Sequence, residues 1–451
     1  MTPEQQQQRI LARLAGAPAA SGELRRELDG ISPATLSRLV SRLGGKVIAL
    51  GKARATRYAL LRDIRGRGDH FPVYRIDQQG DAHRYGVLRP VWKRGYWWES
   101  SSPMPSELFR GLPWFIQDLR PEGFVGQAFV HRTAPELGLP IRLADWNDED
   151  VLVALSRRGE ECMGDLLVGD ESLERYLRHT RAPLAVIRSP EEYAVLARKA
   201  LEGEPAGSSA AGEQPKFTAL VDRNEEPVPV LVKFSPRMTT PEGRRWADLL
   251  VCEHLALEVV REAGFAAVSS VLHHTENRTF LEVERFDRCG SFGRRPMHSL
   301  GVVDDEFFGR RDSWIAMAGR LETTGRISGA DALALTWLSV FGSMIANTDQ
   351  HFGNISLIPR DDRRESFRLG PAYDMLPMLY RPREAETGFP EFVPPMPVAG
   401  SLSCFDHARR HALLFWERAA ADSRITAEFQ QECARNLATL VRSAQGASVI
   451  L

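Results

Sequence analysis

The placing of strand-like and helix-like stretches constrains this chain more than any single motif. From Phe71 to Trp98 the sequence alternates and is rich in Val, Tyr and Trp, which predicts strands. Phe217–Val221 and Pro229–Phe234 predict a hairpin, and Thr279–Phe286 a further strand. A mixed helical stretch lies between about Ser106 and Arg175, and Trp246–Ala263 predicts one long helix. Beyond Asp304 the pattern is mostly helical, through Ala332–Ala346 and Cys404–Arg442. That arrangement is an α+β fold with a β-rich lobe followed by a helical lobe. At 451 residues the chain is long enough for two to four domains of about 150 residues each.

The first 65 residues follow a different plan. Gln5–Leu14 predicts a helix with Ile10, Leu11 and Leu14 on one face, and Ser21 is placed to cap a second short helix. Ser32-Pro33 opens a third, running to about Leu43, with Leu36, Leu39, Val40 and Leu43 inward and Ser37, Arg38, Ser41 and Arg42 outward. Val47–Leu50, a turn at Gly51-Lys52 and Thr56–Leu60 then read as a basic hairpin. Three short helices and a hairpin make the winged helix-turn-helix pattern, in which Ser37, Arg38, Ser41 and Arg42 would meet the major groove. Lys52, Arg54 and Arg57 would grip phosphate from the wing. Charge supports this reading: residues 1–70 carry a net +7 and the remainder a net −8, so the head is the part suited to a polyanion. Winged helices also serve as protein-binding modules, and a solvated basic face is the alternative. Residues 62–69 read as a charged, glycine-containing linker.

Composition excludes some classes. There is no apolar run of about 18 residues, and the opening MTPEQQQQRILARL lacks a signal peptide's apolar core, so a cytoplasmic protein without membrane partners is expected. The five scattered cysteines include no C-x-x-C pair, which argues against a zinc module or a disulfide frame.

Four segments carry residues suited to phosphoryl transfer. Ser208–Lys216 is rich in small residues, which let backbone N–H groups approach phosphate oxygens. Lys233, ending an apolar strand, can reach a nucleotide phosphate, with Glu253 on the following helix as its ion-pair partner. In Asn347–Asn354 an aspartate, Asp349, precedes an asparagine, Asn354, by five residues; the first suits a catalytic base and the second a Mg²⁺ ligand. Asp374 follows by twenty residues, as a second hard oxygen donor for Mg²⁺. Each segment alone is weak, and an Asp-x-His-x-x-Asn cluster also suits a structural turn. Their order along the chain is what gives them force.

These motifs, with their neighbours, resemble the HipA family of toxin kinases. The resemblance covers roughly residues 70–440. It is carried by Leu112-Pro113-Trp114 to Leu119–Gly123, Gly159–Gly164, Gly212–Lys216, Val283–Arg288, Asn347–His351 and Pro371–Pro377. It implies a protein-kinase-like two-lobed fold using ATP and Mg²⁺, divided as 1–65 winged helix, 70–180 N-terminal subdomain, 181–290 kinase N-lobe and 291–451 helical C-lobe. The resemblance further implies that Gly212, Gln214, Lys216 and Lys233 face the phosphates. Glu284 and Phe286 would offer hinge backbone to adenine, Asp287 would meet the ribose, and His351 would touch the nucleotide. Ser209, or the adjacent Ser208, falls where such kinases phosphorylate themselves. By analogy the partners are a protein substrate of the aminoacyl-tRNA synthetase or translation-factor kind, and an antitoxin. Pro215, Gln350 and Gly353 depart from the family's usual residues, and the fused DNA-binding head (residues 1–65) is a further departure. The competing readings are a DNA-binding transcription regulator, or an antitoxin, whose kinase-like body only binds nucleotide.

Overall fold

The computed structural model describes residues 1–51, 56–182, 184–202, 214–383 and 388–447. The head begins with α1 (Pro3–Leu14), opened by a capping box between Thr2 and Gln5. A short strand β1 (Ala19–Ala20) leads into α2 (Ser21–Glu27), and α3 (Pro33–Ser41) follows, its N-cap Ser32 accepting the Thr35 N–H. Strands β2 (Val47–Leu50) and β3 (Arg57–Leu60) pair antiparallel, with β1 on the outer edge of β3. Ile10, Leu14, Leu24, Leu28, Leu36 and Leu39 close a small core between helices and sheet. Two details differ from expectation. Ala20, not Ser21, occupies the cap of α2, because the Ser21 N–H already reaches the Thr56 carbonyl in continuation of the β1–β3 pairing. The third helix stops at Ser41, where Gly44 and Gly45 take positive φ and turn the chain toward β2.

Residues 62–69 are packed rather than a free linker. Ile64 is fully buried, Arg62 pairs with Glu149, and Arg65 pairs with the buried Asp150 at 2.7 Å. Asp63 folds the turn back by accepting the Gly68 N–H at 2.7 Å.

The next sheet is antiparallel, ordered β7-β6-β5-β4-β8, from β4 (Phe71–Ile76), β5 (Ala82–Val91), β6 (Gly95–Ser100), β7 (Glu107–Phe109) and β8 (Leu166–Val168). Between β7 and β8 run α4 (Trp114–Gln117), α5 (Gly123–Leu137) and α6 (Asp148–Arg158), and α7 (Asp170–Arg181) follows β8.

A second five-stranded sheet holds β9 (Val186–Ile187), β10 (Lys216–Arg223), β11 (Glu226–Phe234), β12 (Ser270–Thr275) and β13 (Arg278–Glu284), with α8 (Glu192–Glu202) and α9 (Pro241–Glu262) against it. Its order is β12-β13-β11-β10-β9, so β11 and β13 lie inside the sheet. The strand expected to reach Phe286 ends at Glu284, and a small hairpin follows, β14 (Arg288–Cys289) with β15 (Gly293–Arg294).

The remainder is helical, as expected, with one insertion. Strand β16 (His298–Ser299) leads into α10 (Leu300–Phe307), α11 (Trp314–Thr323) and α12 (Gly329–Met344). Strands β17 (Ser356–Pro359) and β18 (Phe367–Leu369) then pair beside β16. The last expected helix is two: α13 (Leu402–Ala421) and α14 (Ala427–Ala447), broken where the Asp422 carboxylate binds the Arg424 N–H and guanidinium. Among the described residues no helix is long and apolar enough to cross a membrane.

One contiguous core joins these layers, from Trp98, Phe115 and Leu152 through Leu250 of α9 to Trp337, Phe341 and Trp416. Polar ties cross the same boundary. Buried Arg364 holds Asp165 in a bidentate pair at 3.0 and 3.1 Å, the Tyr85 hydroxyl at 2.9 Å and the His298 Nε2 at 2.6 Å.

Inside the second sheet, Glu282 of β13 is nearly buried and accepts from Tyr193 at 2.6 Å, from His273 at 3.2 Å and from Arg223. Burial alone would raise its pKa, but these three donors hold it down at about 2, against an ordinary value of 4.5. The charged form therefore stabilises the fold above pH about 4.5, and that contribution is lost as the pH falls toward 2. Glu282→Gln is expected to destabilise the protein by about 1–3 kcal/mol at pH 7. In denaturant melts between pH 7 and pH 3 the gap between variant and parent should shrink; a constant gap would mean the carboxylate is not charged in the fold.

Candidate active site

The centre of the site is a lysine deep in the second sheet. Lys233 on β11 is 3% exposed, and its ammonium meets the Glu253 carboxylate of α9 at 2.6 Å. Asp374, after β18, closes on the same ammonium. An interior ammonium without a countercharge would lose its proton or its place, so the two carboxylates make the position tenable. Burial pushes the Lys233 pKa down, but Asp374 and Glu253 outweigh it and the net shift is upward. Burial pushes Glu253 up, beyond what Lys233 pulls back, whereas at Asp374 the charges of Lys233 and Lys216 win and the shift is downward. Lys216 stands opposite Lys233 in the β10–β11 register, so two lysines face the same acidic ground. Among the described residues Glu253 Oε2 is buried without a partner, as is Gln214 Nε2 just before β10. Asp374 also sits at φ +53°, a costly backbone conformation for a non-glycine residue that the surrounding contacts must enforce.

A loop after α12 comes to this centre. Ala346 turns the chain at φ +59°. Asn347, 4% exposed, accepts the Asp349 N–H at 3.0 Å and donates to the Asp374 carbonyl at 3.4 Å, so one amide joins both acidic segments. Asn354 donates to the Asp349 carbonyl at 2.8 Å, which leaves its amide oxygen for another partner. Gln350 points back to α12, bonding the Ser339 hydroxyl at 2.9 Å and the Ser343 hydroxyl at 3.0 Å; it anchors the loop. The Asp349 and His351 side chains are roughly half exposed, 3.9 Å apart. Gly353 belongs here for a steric reason: a Cβ would lie 2.8 Å from the His351 ring, whose Nδ1 accepts the Gly353 N–H at 3.0 Å.

Two residues of this frame were not singled out from the sequence, although both stand inside the recognised motifs. One is Asn347. The other is Tyr373, whose hydroxyl donates to the Gly353 carbonyl at 3.0 Å and lies 2.7 Å from the Ser356 hydroxyl. Burial pushes its pKa up, so it keeps the proton it donates. Its ring lies 5.9 Å from that of Phe286.

At the edge of the cleft, the Glu284 N–H bonds the Ser269 carbonyl and the Arg285 N–H bonds the Pro229 carbonyl, while the Phe286 N–H has no partner among the described residues. The Glu284 carboxylate takes Arg223 at 3.2 Å. The ribose contact expected of Asp287 does not fit its surroundings. Asp287 is 5% exposed; its oxygens take Arg285 at 2.9 and 2.7 Å, Arg288 at 2.6 Å and the Gly164 N–H at 3.0 Å. Burial opposes its charge, but the two guanidiniums hold the carboxyl far below the ordinary range. With these donors already on it, Asp287 acts as a tie between the hinge and the segment around Gly164.

Lys233, Glu253, Asp374, Asp349, Asn354 and His351 are thus brought into one frame, with Lys216 and Phe286 at its margins. Ser208, Ser209 and Gly212 lie outside the described residues, as do Lys52 and Arg54. On the head, Ser37, Arg38, Ser41, Arg42 and Arg57 are all exposed. The described residues contain no group of three or more His, Cys, Asp or Glu side chains suited to hold a metal by themselves. The Asn354 amide oxygen and the Asp374 carboxylate are a hard-oxygen pair of the kind Mg²⁺ takes together with phosphate oxygens and water.

Lys233→Met is expected to cost about 3–5 kcal/mol by stranding the Glu253 charge, and adding Glu253→Leu should recover most of it. Urea unfolding of the two variants checks this; equal stability of parent and Lys233→Met would mean that the pair is not buried as described.

The chain is similar to known proteins over most of its length. Residues 208–445 match the family of HipA-like C-terminal domains, and residues 67–177 match the middle domain of YjjJ-like toxins. The toxin YjjJ of Escherichia coli (strain K12) is 39% identical over 427 residues, covering 92% of this chain and 94% of its own. Among solved structures, the complex of Shewanella oneidensis MR-1 HipA with HipB and its operator DNA matches with a TM-score of 0.54 at 16% identity, over 82% of this chain and 96% of that one. The Helicobacter pylori proinflammatory kinase CtkA matches with a TM-score of 0.37 at 12% identity, over 52% of this chain and 90% of its own.

Proposed function

The chain belongs to the HipA-like toxins, and from that premise we propose that it is an ATP- and Mg²⁺-dependent protein serine/threonine kinase carrying its own DNA-binding head. The observation that carries the catalytic part is the convergence of Lys233, Glu253 and Asp374, with Asn347 joining Asp374 to the loop of Asp349 and Asn354. In this reading Lys233 exchanges Asp374 for a phosphate oxygen, with Glu253 holding its direction. Lys216 and Gln214 stand at the same phosphates, and Gly212 is assigned to them from the sequence resemblance. The unpaired Phe286 N–H and the Glu284 backbone receive the adenine edge, and His351 faces the nucleotide. Asn354 and Asp374 would hold Mg²⁺, which supplies charge neutralisation between the phosphates. Asp349, half exposed at the mouth, accepts the proton of a serine or threonine hydroxyl as it attacks. Ser209 or Ser208 is the proposed site of self-phosphorylation.

The head is proposed to be a winged helix-turn-helix that reads DNA. Its exposed Ser37, Arg38 and Ser41 lie on α3 with Arg42 at the helix's C-cap, and Arg57 lies on β3 of the adjoining hairpin. The HipA neighbour is in complex with HipB and its operator DNA, which suggests an antitoxin and DNA as partners here too. The protein substrate is proposed, by family analogy, to be a component of translation such as an aminoacyl-tRNA synthetase.

Incubation of the purified chain with Mg²⁺ and ATP should add phosphate at Ser208 or Ser209, read by intact mass and peptide mapping. Asp349→Asn should slow this at least about 10²-fold while nucleotide still binds. Nucleotide binding with no phosphate transfer to itself or to any protein would instead favour the regulator or antitoxin reading. For the head, Arg57→Ala should weaken DNA binding and lower the slope of log affinity against log salt by about 1, and Arg38→Ala and Arg42→Ala should each cost about 1–3 kcal/mol at the preferred site and relax its specificity. Unchanged affinity and slope in all three would sink the DNA assignment.

A further inference from the structure

Beside the loop of Asp349 lies a cavity of about 320 Å³ that the nucleotide reading does not use. Asn347 and Thr348, the two residues before Asp349, line it on one side; Leu379, Phe392, Val393 and Pro395 line it on the other. Residues 389–398 form no helix or strand, yet Phe392 is buried and fixes the segment in place. Val393, one of the lining residues, is an apolar side chain left 76% exposed, and Met396, three residues further along the segment, is exposed to the same degree. Scattered apolar residues on a surface need no account, but a cavity walled by Leu379, Phe392, Val393 and Pro395, with Val393 largely exposed, offers an apolar contact site. The volume is at the lower end of pockets that hold small ligands, about 300–1,000 Å³, which suits one or two side chains.

We propose that this cavity receives a large apolar side chain, leucine, methionine or phenylalanine, lying one or two residues from the phosphorylated serine or threonine of a protein substrate. The proposal rests on the kinase reading and deepens it by naming a feature of the substrate. Its geometry is simple. The acceptor hydroxyl must come within about 2.6–3.2 Å of Asp349. An extended chain advances about 3.3 Å per residue, with neighbouring side chains on opposite faces. A pocket that begins at Thr348 therefore meets the side chain of the first or second residue from the acceptor. Glu391 also lines the cavity, so an acidic residue at that place is disfavoured.

The test is phosphorylation of a peptide array by the full chain with Mg²⁺ and ATP, each peptide holding one serine or threonine with every residue type scanned at the flanking positions. Self-phosphorylation is followed in parallel. Val393→Asp is compared with the parent and with Ile141→Asp, a substitution at another exposed apolar residue, 78% exposed, in the middle domain. The expected result is at least a tenfold preference for Leu, Met or Phe over Asp at one fixed flanking position. Val393→Asp should erase that preference with Mg-ATP affinity unchanged, and Ile141→Asp should keep it. Self-phosphorylation with no apolar preference, or with a preference that Val393→Asp leaves intact, overturns the pocket and leaves the kinase standing. Absence of all phosphate transfer despite nucleotide binding overturns both. Sedimentation decides the other occupant: a dimer of the parent that Val393→Asp dissolves would make this face a self-interface and overturn the proposal.

Discussion

A buried ammonium between two carboxylates fixes the geometry of everything around it. Lys233 comes from an interior strand, Glu253 from the helix behind it and Asp374 from a segment 141 residues further on. Taking these charges out of water costs several kcal/mol per ion, and only close pairing offsets that cost. The strand, the helix and the late segment are therefore not free to drift apart. Asp374 meets the added demand of a left-handed backbone, and Asn347 holds its carbonyl. Strain of this kind persists only where neighbouring structure over-determines it. An ion pair with one member still partly exposed, as Asp374 is at 26%, can be opened by a competing anion. The same arrangement thus holds the site together and leaves it able to exchange one partner.

The loop of Asp349 is rigid in its frame and open at its two outward side chains. Asn347, Gln350 and Asn354 all turn inward, each bonded to backbone or to α12. Asp349 and His351 turn outward. Tyr373 adds a strut from beneath, since its hydroxyl supports the Gly353 carbonyl next to Asn354. A loop held in this way keeps the outward-facing Asp349 and His351 in fixed positions, which in the proposed kinase reading is how binding geometry would be converted into rate.

Much of this was legible in the sequence because it is local. A lysine closing an apolar strand, with a glutamate twenty residues on in a helix, needs only one strand-to-helix connection to meet. The spacing of Asp349 and Asn354 lies within a single loop. What escaped reading depends on distant partners. Asp287 sits in a run matching a nucleotide hinge, yet the Gly164 N–H that helps to occupy it comes from 123 residues earlier. Residues 62–69 have a linker's composition, and only Glu149 and Asp150, on α6, turn them into a packed joint. Within Cys404–Arg442 the helical pattern is unbroken in type, and the stop comes from a local Asp422–Arg424 contact that helix propensity does not reveal.

That packed joint bears on how the two ends of the chain work together. The backbone of Leu61 bridges Val91, the Trp92 N–H bonds the Leu60 carbonyl, and the Arg62 N–H bonds the Pro90 carbonyl. The last strand of the head thus runs directly onto the C-terminal end of β5, the central strand of the middle sheet, with Leu50, Ala59, Leu61 and Val91 in one apolar cluster beneath. A flexible tether would let a basic head and an acidic body orient independently. A backbone-bonded joint does not: in the DNA-binding reading, the position of the body would follow from that of α3. The middle sheet shares its core with the helical lobe, so the orientation passes to the cleft through packed side chains. In the DNA-binding reading proposed above, charge would act in the same sense, because a net +7 at the head and −8 over the rest would draw the head toward a polyanion and push the body away.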